Sequence, residues 1–167
     1  MDTPALRLVD VNPAVVDAWR SAFRRFTEVS ISHGDILEHA ICSVVSPANS
    51  YGFMDGGIDA IYTRYFGLRP QTELQEIIAR REDQKLPVGS GVLIRTGHDR
   101  IPFLISAPTM ETPGPVPKQN AFYAMSAVLN TLTKHKDKLT EVYCPGLCTD
   151  VGHVEPEDAA TEMAFAY

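Results

Sequence analysis

The stretch from Ile41 to Phe66 constrains the fold of this chain more than any other. Ile41–Val45 is a short, β-branched run of the kind that fills buried strands. It passes directly into Ser46–Gly57, a loop holding Pro47, Asn49, Gly52, Gly56 and Gly57. Ile58–Phe66 then takes up helical spacing, with Gly67 placed to end it. The same alternation runs along the chain. Strands are predicted at Leu6–Val9, Val29–Ile31, Gly91–Arg95, Phe103–Ser106 and Glu141–Cys144. Helices are predicted after Asn12, a cap with Pro13 behind it, and at Pro70–Arg81, Gln119–Leu132 and Pro156–Tyr167. Strands alternating with helices describe an α/β chain whose sheet is largely parallel and covered on both faces. Such sheets bind ligands beyond the carboxyl ends of their strands. Two loops have that location and an unusual composition, Ser46–Gly57 and Pro145–Glu155.

With 167 residues the chain fits one domain, expected over 1–167, and its 44% of apolar residues supply a sizeable core. A net charge of −6 argues against a non-specific grip on nucleic acid, which needs a basic stripe. It leaves room for an anionic small ligand, because backbone N–H groups hold phosphate without Lys or Arg. Cys42, Cys144 and Cys148 make no disulfide framework and point to a reducing compartment. No apolar run approaches the roughly 20 residues of a membrane span, and no signal peptide is evident. A soluble cytoplasmic protein is expected, with a nuclear location the alternative if the source is eukaryotic. Neither a metal site nor a cofactor is expected. Cys144, Cys148 and His153 lie in one stretch but lack a Cys-x-x-Cys pair.

In the first loop each residue has a chemical use and a plainer one. Gly56 and Gly57 allow close approach to the backbone and leave the first N–H groups of the next helix free, or they simply make a tight turn. Asn49 offers an acceptor and two donors suited to a ribose hydroxyl, or it forms a turn. Asp59, in the first helical turn, activates a water or complements the helix dipole.

Taken together, Gly34-Asp35-Ile36, Val45-Ser46-Pro47-Ala48-Asn49 and Gly56-Gly57-Ile58-Asp59 resemble the signature of the macro-domain family. That family shows Gly-Asp-Ile, then Val-Asn-x-Ala-Asn, then a glycine-rich loop ending in Gly-Gly, an aliphatic residue and Asp. The resemblance continues through Tyr65-Phe66-Gly67 and Ser106-Ala107-Pro108-Thr109 to the final segment Ala159–Tyr167. It implies a three-layer α/β/α fold with a mostly parallel, mixed central sheet, and a cleft for ADP-ribose. By position, Asp35 would meet the adenine amino group beside the backbone of Ile36. Asn49 would bind the distal ribose, Gly56 and Gly57 would pass close to that ribose and the diphosphate, and Ala48 and Ile58 beside them would be ligand-binding as well. Asn49 and Asp59 match the positions that support hydrolysis in one branch of the family, where ADP-ribose is removed from acidic side chains or from an acetyl group. The resemblance thus implies ADP-ribose or a mono-ADP-ribosylated protein as partner, handled by a hydrolase or by a reader without turnover. No Lys occurs between Gly34 and Arg80, which argues against the branch that uses a lysine nucleophile.

The second loop reads Gly146-Leu147-Cys148-Thr149-Asp150-Val151-Gly152-His153, where the family cradles the diphosphate with backbone N–H groups. Cys148, Asp150 and His153 stand in place of glycines. Asp150 facing solvent would leave a weakened site. A less anionic ligand, or a scaffold that binds nothing, are the other two readings.

Overall fold

The computed structural model describes residues 3–167. Its strands, in chain order, are β1 (Ala5–Asp10), β2 (Ser30–His33), β3 (Ser43–Ser46), β4 (Val92–Arg95), β5 (Phe103–Ser106) and β6 (Glu141–Cys144). They form one sheet in the order β2-β1-β6-β3-β5-β4. Every pairing is parallel except β4 with β5 at one edge. The helices are α1 (Pro13–Ala22), α2 (Ile36–His39), α3 (Gly57–Phe66), α4 (Arg69–Ala79), α5 (Gln119–Lys134) and α6 (Pro156–Ala166).

Alternation along the strands sends neighbouring residues to opposite faces of the sheet. Leu6, Leu8, Val45 and Ile105 join a core shared with α1, α5 and α6. Val9, Val44, Leu104 and Ile94 join a second core under α2, α3 and α4. These two cores make the three-layer α/β/α arrangement. On the first face the buried Trp19 of α1 directs its indole N–H at Met163 Sδ of α6, 3.4 Å away. Tyr167 stacks edgewise on Phe26, 4.8 Å between centroids, which fastens the end of α6 to the turn after α1.

Most elements lie where the sequence predicts them, with ends shifted by a residue or two. Asn12 caps α1 as expected, its side chain accepting from Ala14 N at 3.0 Å. Two departures have clear causes. The strand predicted at Ile41–Val45 starts only at Ser43, because Cys42 has φ 68 and breaks the extended path, leaving Ile41 46% exposed. The four-residue α2 carries no periodicity in the sequence. It forms because Asp35 Oδ1 accepts the N–H of Leu37 at 2.9 Å.

Candidate functional site

Strands β3 and β6 are neighbours in the middle of the sheet, paired at Val44 and Tyr143. The loops that follow them therefore rise side by side beyond the carboxyl edge, as the alternation predicts. Between them lies a cleft of about 670 Å³, whose far wall comes from the ends of β1 and β2.

At one end of the cleft is Asp35. One carboxylate oxygen is spent on capping α2. Ile36 beside it is buried in the core under α2 and α3 and shows only its edge to the cavity. At the other end are Ala48, Asn49 and Phe53. Ala48 is buried, and its carbonyl accepts from Thr109 N at 2.9 Å. Asn49 works mainly inside its own loop. Its Oδ1 accepts from Tyr51 N at 3.0 Å and Phe53 N at 3.4 Å, and its Nδ2 donates to Phe53 O at 2.8 Å. One N–H of the amide remains to face the cleft.

The two glycines between these ends serve different purposes. Gly57 has φ 55, a left-handed conformation that disfavours any side chain. Gly56 has ordinary extended backbone and caps α3 with no side-chain hydrogen bond. A Cβ on it would meet nothing within 4 Å, so its hydrogen keeps space open rather than relieving strain. The first turn of α3 thus presents free N–H groups and the positive end of its dipole to the cavity.

Asp59 lies in that same first turn, with its side chain turned inward. It lines the cavity yet is only 5% exposed, and its Oδ1 accepts from Ser46 Oγ at 2.5 Å. Burial pushes its carboxyl up to about 7, against the pull of the Ser46 hydroxyl and with a smaller push from Asp55. A carboxyl that titrates near neutrality can both take and return a proton. Tyr62, the next buried polar group of α3, donates to Val45 O at 2.9 Å.

The second loop folds back on itself. Val154 N donates to Cys148 O at 2.9 Å, His153 N to Asp150 O at 3.1 Å, and Gly152 O accepts from Val116 N at 3.1 Å. Cys148 and His153 adopt φ 67 and φ 55, so the loop follows a path suited to glycine at two positions where it has none. The Cys148 side chain is 3% exposed, and burial pushes its thiol up to about 12, well away from a reactive thiolate. Gly146 has no room for a Cβ, which would fall 2.5 Å from Thr149 Oγ1. A Cβ on Gly152 would fall 2.7 Å from Cys148 O. Gly146, Cys148, Thr149, Asp150, Val151 and Gly152 all reach the cleft.

Leu147, grouped with them by the sequence, is completely buried in the core against α1 and α5, because an aliphatic side chain at the end of β6 packs inward. Of the three readings of the second loop, the one with Asp150 in solvent describes it only in part, since the residue is exposed and also belongs to the lining of the cleft. Its carboxylate lines the cleft, and Oδ2 would stand 3.2 Å from a Cβ built on Gly57.

Among the lining residues that sequence reasoning passes over, two have charged side chains of particular interest. Asp10, at the end of β1, accepts from Asn12 N at 2.9 Å and Gly146 N at 2.8 Å and so holds the second loop to the far wall. Arg64 of α3 is the one basic side chain on the lining among the described residues. Neither sits in a motif, and only the juxtaposition of β1, β6 and α3 singles them out. Among the described residues, no helix is long and apolar enough to cross a membrane.

The Macro domain family model matches residues 45–163. An uncharacterized protein of Aquifex aeolicus is 34% identical over 137 residues, which span 81% of this chain and 78% of that protein. Another, from Aeropyrum pernix, is 32% identical over 139 residues, 83% of this chain and 69% of that one. Among solved structures, the macrodomain of Mycobacterium tuberculosis DarG superposes with a TM-score of 0.69 at 20% identity, over 81% of this chain and 86% of that one. A variant of the Oceanobacillus iheyensis macrodomain, solved with ADPR, gives a TM-score of 0.66 at 19% identity, over 80% of this chain and 73% of that one.

Proposed function

This chain belongs to the macro domain family, and on that premise we propose that its cleft binds ADP-ribose or a derivative and removes ADP-ribose from acidic protein side chains or from an acetyl group. The observation that carries the reading is the continuity of the cleft. One cavity joins Asp35 at one end, the open first turn of α3 in the middle, and Asn49 with Asp59 at the other. Its volume suits a ligand of nucleotide size. The Oceanobacillus iheyensis macrodomain has been solved with ADP as well as with ADPR.

In this reading the adenine amino group donates to Asp35, and Ile36 lies beneath the base. The diphosphate lies between Gly56-Gly57 and the turn from Gly146 to Gly152, held by backbone N–H groups. The distal ribose meets the remaining N–H of Asn49. Asp59, half ionised near neutral pH, takes a proton from the water that attacks the anomeric carbon or the carbonyl of the ester. Asn49 keeps the loop, and with it the ribose, in place.

A second reading is a module that binds without turnover. It is favoured by the near-complete burial of Asp59 and by the engagement of the Asn49 side chain within its own loop.

Calorimetric titration with ADP-ribose, repeated on Asp35→Ala, tests binding. A micromolar wild-type affinity, about 8 kcal/mol, should be lost in the variant. Release of ADP-ribose from a mono-ADP-ribosylated protein then separates the readings. A hydrolase loses turnover in Asp59→Asn while keeping affinity, whereas a reader shows no turnover in the wild type.

A further inference from the structure

The charge on the cleft wall is the reverse of what a diphosphate would seek. Asp10, Asp35, Asp55, Asp59 and Asp150 line it, against Arg64 alone. Three of the carboxylates have work elsewhere. Asp10 holds the N–H groups of Asn12 and Gly146, Asp35 caps α2, and Asp59 is buried on Ser46. Asp55 and Asp150 have no side-chain hydrogen bond or ion pair among the described residues, and of the two it is Asp150 whose carboxylate stands against Gly57.

We infer that Asp150 sets the specificity of the cleft, by competing with the phosphate groups of a ligand for the first turn of α3. The inference rests on the ADP-ribose reading above. Three observations support it. Asp150 Oδ2 faces Gly57, the first residue of α3, where the free N–H groups and the dipole attract a negative charge. Gly56 leaves the space beside that turn empty, so the carboxylate and a phosphate would occupy adjoining positions. The backbone at Asp150 is tied down by the bonds from His153 N to Asp150 O and from Val154 N to Cys148 O. The loop therefore holds the charge in place, and only rotation of the side chain relieves the repulsion.

Two like charges in adjoining positions oppose each other by an amount that solvent reduces but does not remove. The cleft accordingly disfavours a bare diphosphate. It accepts more readily a ligand whose phosphates are neutralised by a divalent cation or replaced by an uncharged linker.

The experiment is calorimetric titration of wild type, Asp150→Asn and Asp150→Glu with ADP-ribose and with adenosine, at low and high salt. Asp137→Asn, in the exposed turn after α5, serves as a control of equal charge change outside the cleft. Asp150→Asn should bind ADP-ribose about tenfold more tightly than wild type, a gain that shrinks in high salt. Asp150→Glu and Asp137→Asn should show no such gain, and adenosine affinity should not move. Unchanged or weaker ADP-ribose binding by Asp150→Asn overturns the inference while leaving the ADP-ribose reading intact. An equal gain in Asp137→Asn also overturns it, since the effect would then be net charge. Absence of ADP-ribose binding in all four proteins refutes the reading of the cleft, and the inference with it.

Discussion

Replacing Asp59 with asparagine should change the stability of this protein in a strongly pH-dependent way. In the unfolded chain the carboxyl titrates at its ordinary 3.8, whereas burial within the first turn of α3 raises it to about 7. Between those values the unfolded chain has released the proton and the folded protein still holds it. Unfolding is then favoured by rising pH, at about 1.4 kcal/mol per pH unit and about 4 kcal/mol over the whole interval. This stability is fully present below pH 3.8 and is lost as the pH passes through about 7. The Asp59→Asn variant has no charge to bury at this position, and its amide carbonyl can accept the same hydroxyl of Ser46. Urea unfolding followed by the fluorescence of the buried Trp19 should give similar stabilities for the two proteins at about pH 4. The variant should be the more stable by about 4 kcal/mol at about pH 8. Comparing the two cancels the titration of every other group. A gap that stays constant across this range would refute the argument. A gap that closes or reverses as pH rises would mean that the site stabilises the anion instead.

Other expectations concern the two loops. His153→Gly should stabilise the fold by about 1 kcal/mol in thermal unfolding, because His153 is exposed and holds its φ of 55 with no buried contact to offset the strain. Gly56→Val should leave stability within about 1 kcal/mol and weaken ADP-ribose binding at least about tenfold in titration, because the new side chain fills only the cleft. In a neutral thiol-labelling assay the half-buried Cys42 should react first, and Cys144 and Cys148 only on unfolding, since burial raises both their thiols.

The parts of this molecule that declare themselves in the sequence are those governed by side-chain periodicity and by motifs. The apolar runs locate the strands, and the abrupt change of composition after Val45 and after Cys144 locates the two loops. What escapes is governed by backbone sign and by strand order. Nothing in the run Ile41–Val45 announces that Cys42 turns left-handed and delays β3. The brief α2 depends on one cap rather than on a pattern. Contiguity groups Leu147 with its loop, although its own hydrophobicity argues for the core. The orientation of Asp150 toward Gly57 follows from β6 lying against β3, a long-range pairing that no local window contains.

The second loop keeps a glycine-like course with cysteine and histidine at the left-handed positions. Its route is therefore imposed by the surroundings, by Gly152 wedged against Cys148 and by the bond from Val116, more than by the preferences of its own residues. A loop held in this way resembles a mould that tolerates a change of filling. Exposed positions along it can exchange charge or bulk while the outline persists, which makes the turn from Thr149 to His153 the natural place to redesign ligand choice without rebuilding the sheet beneath.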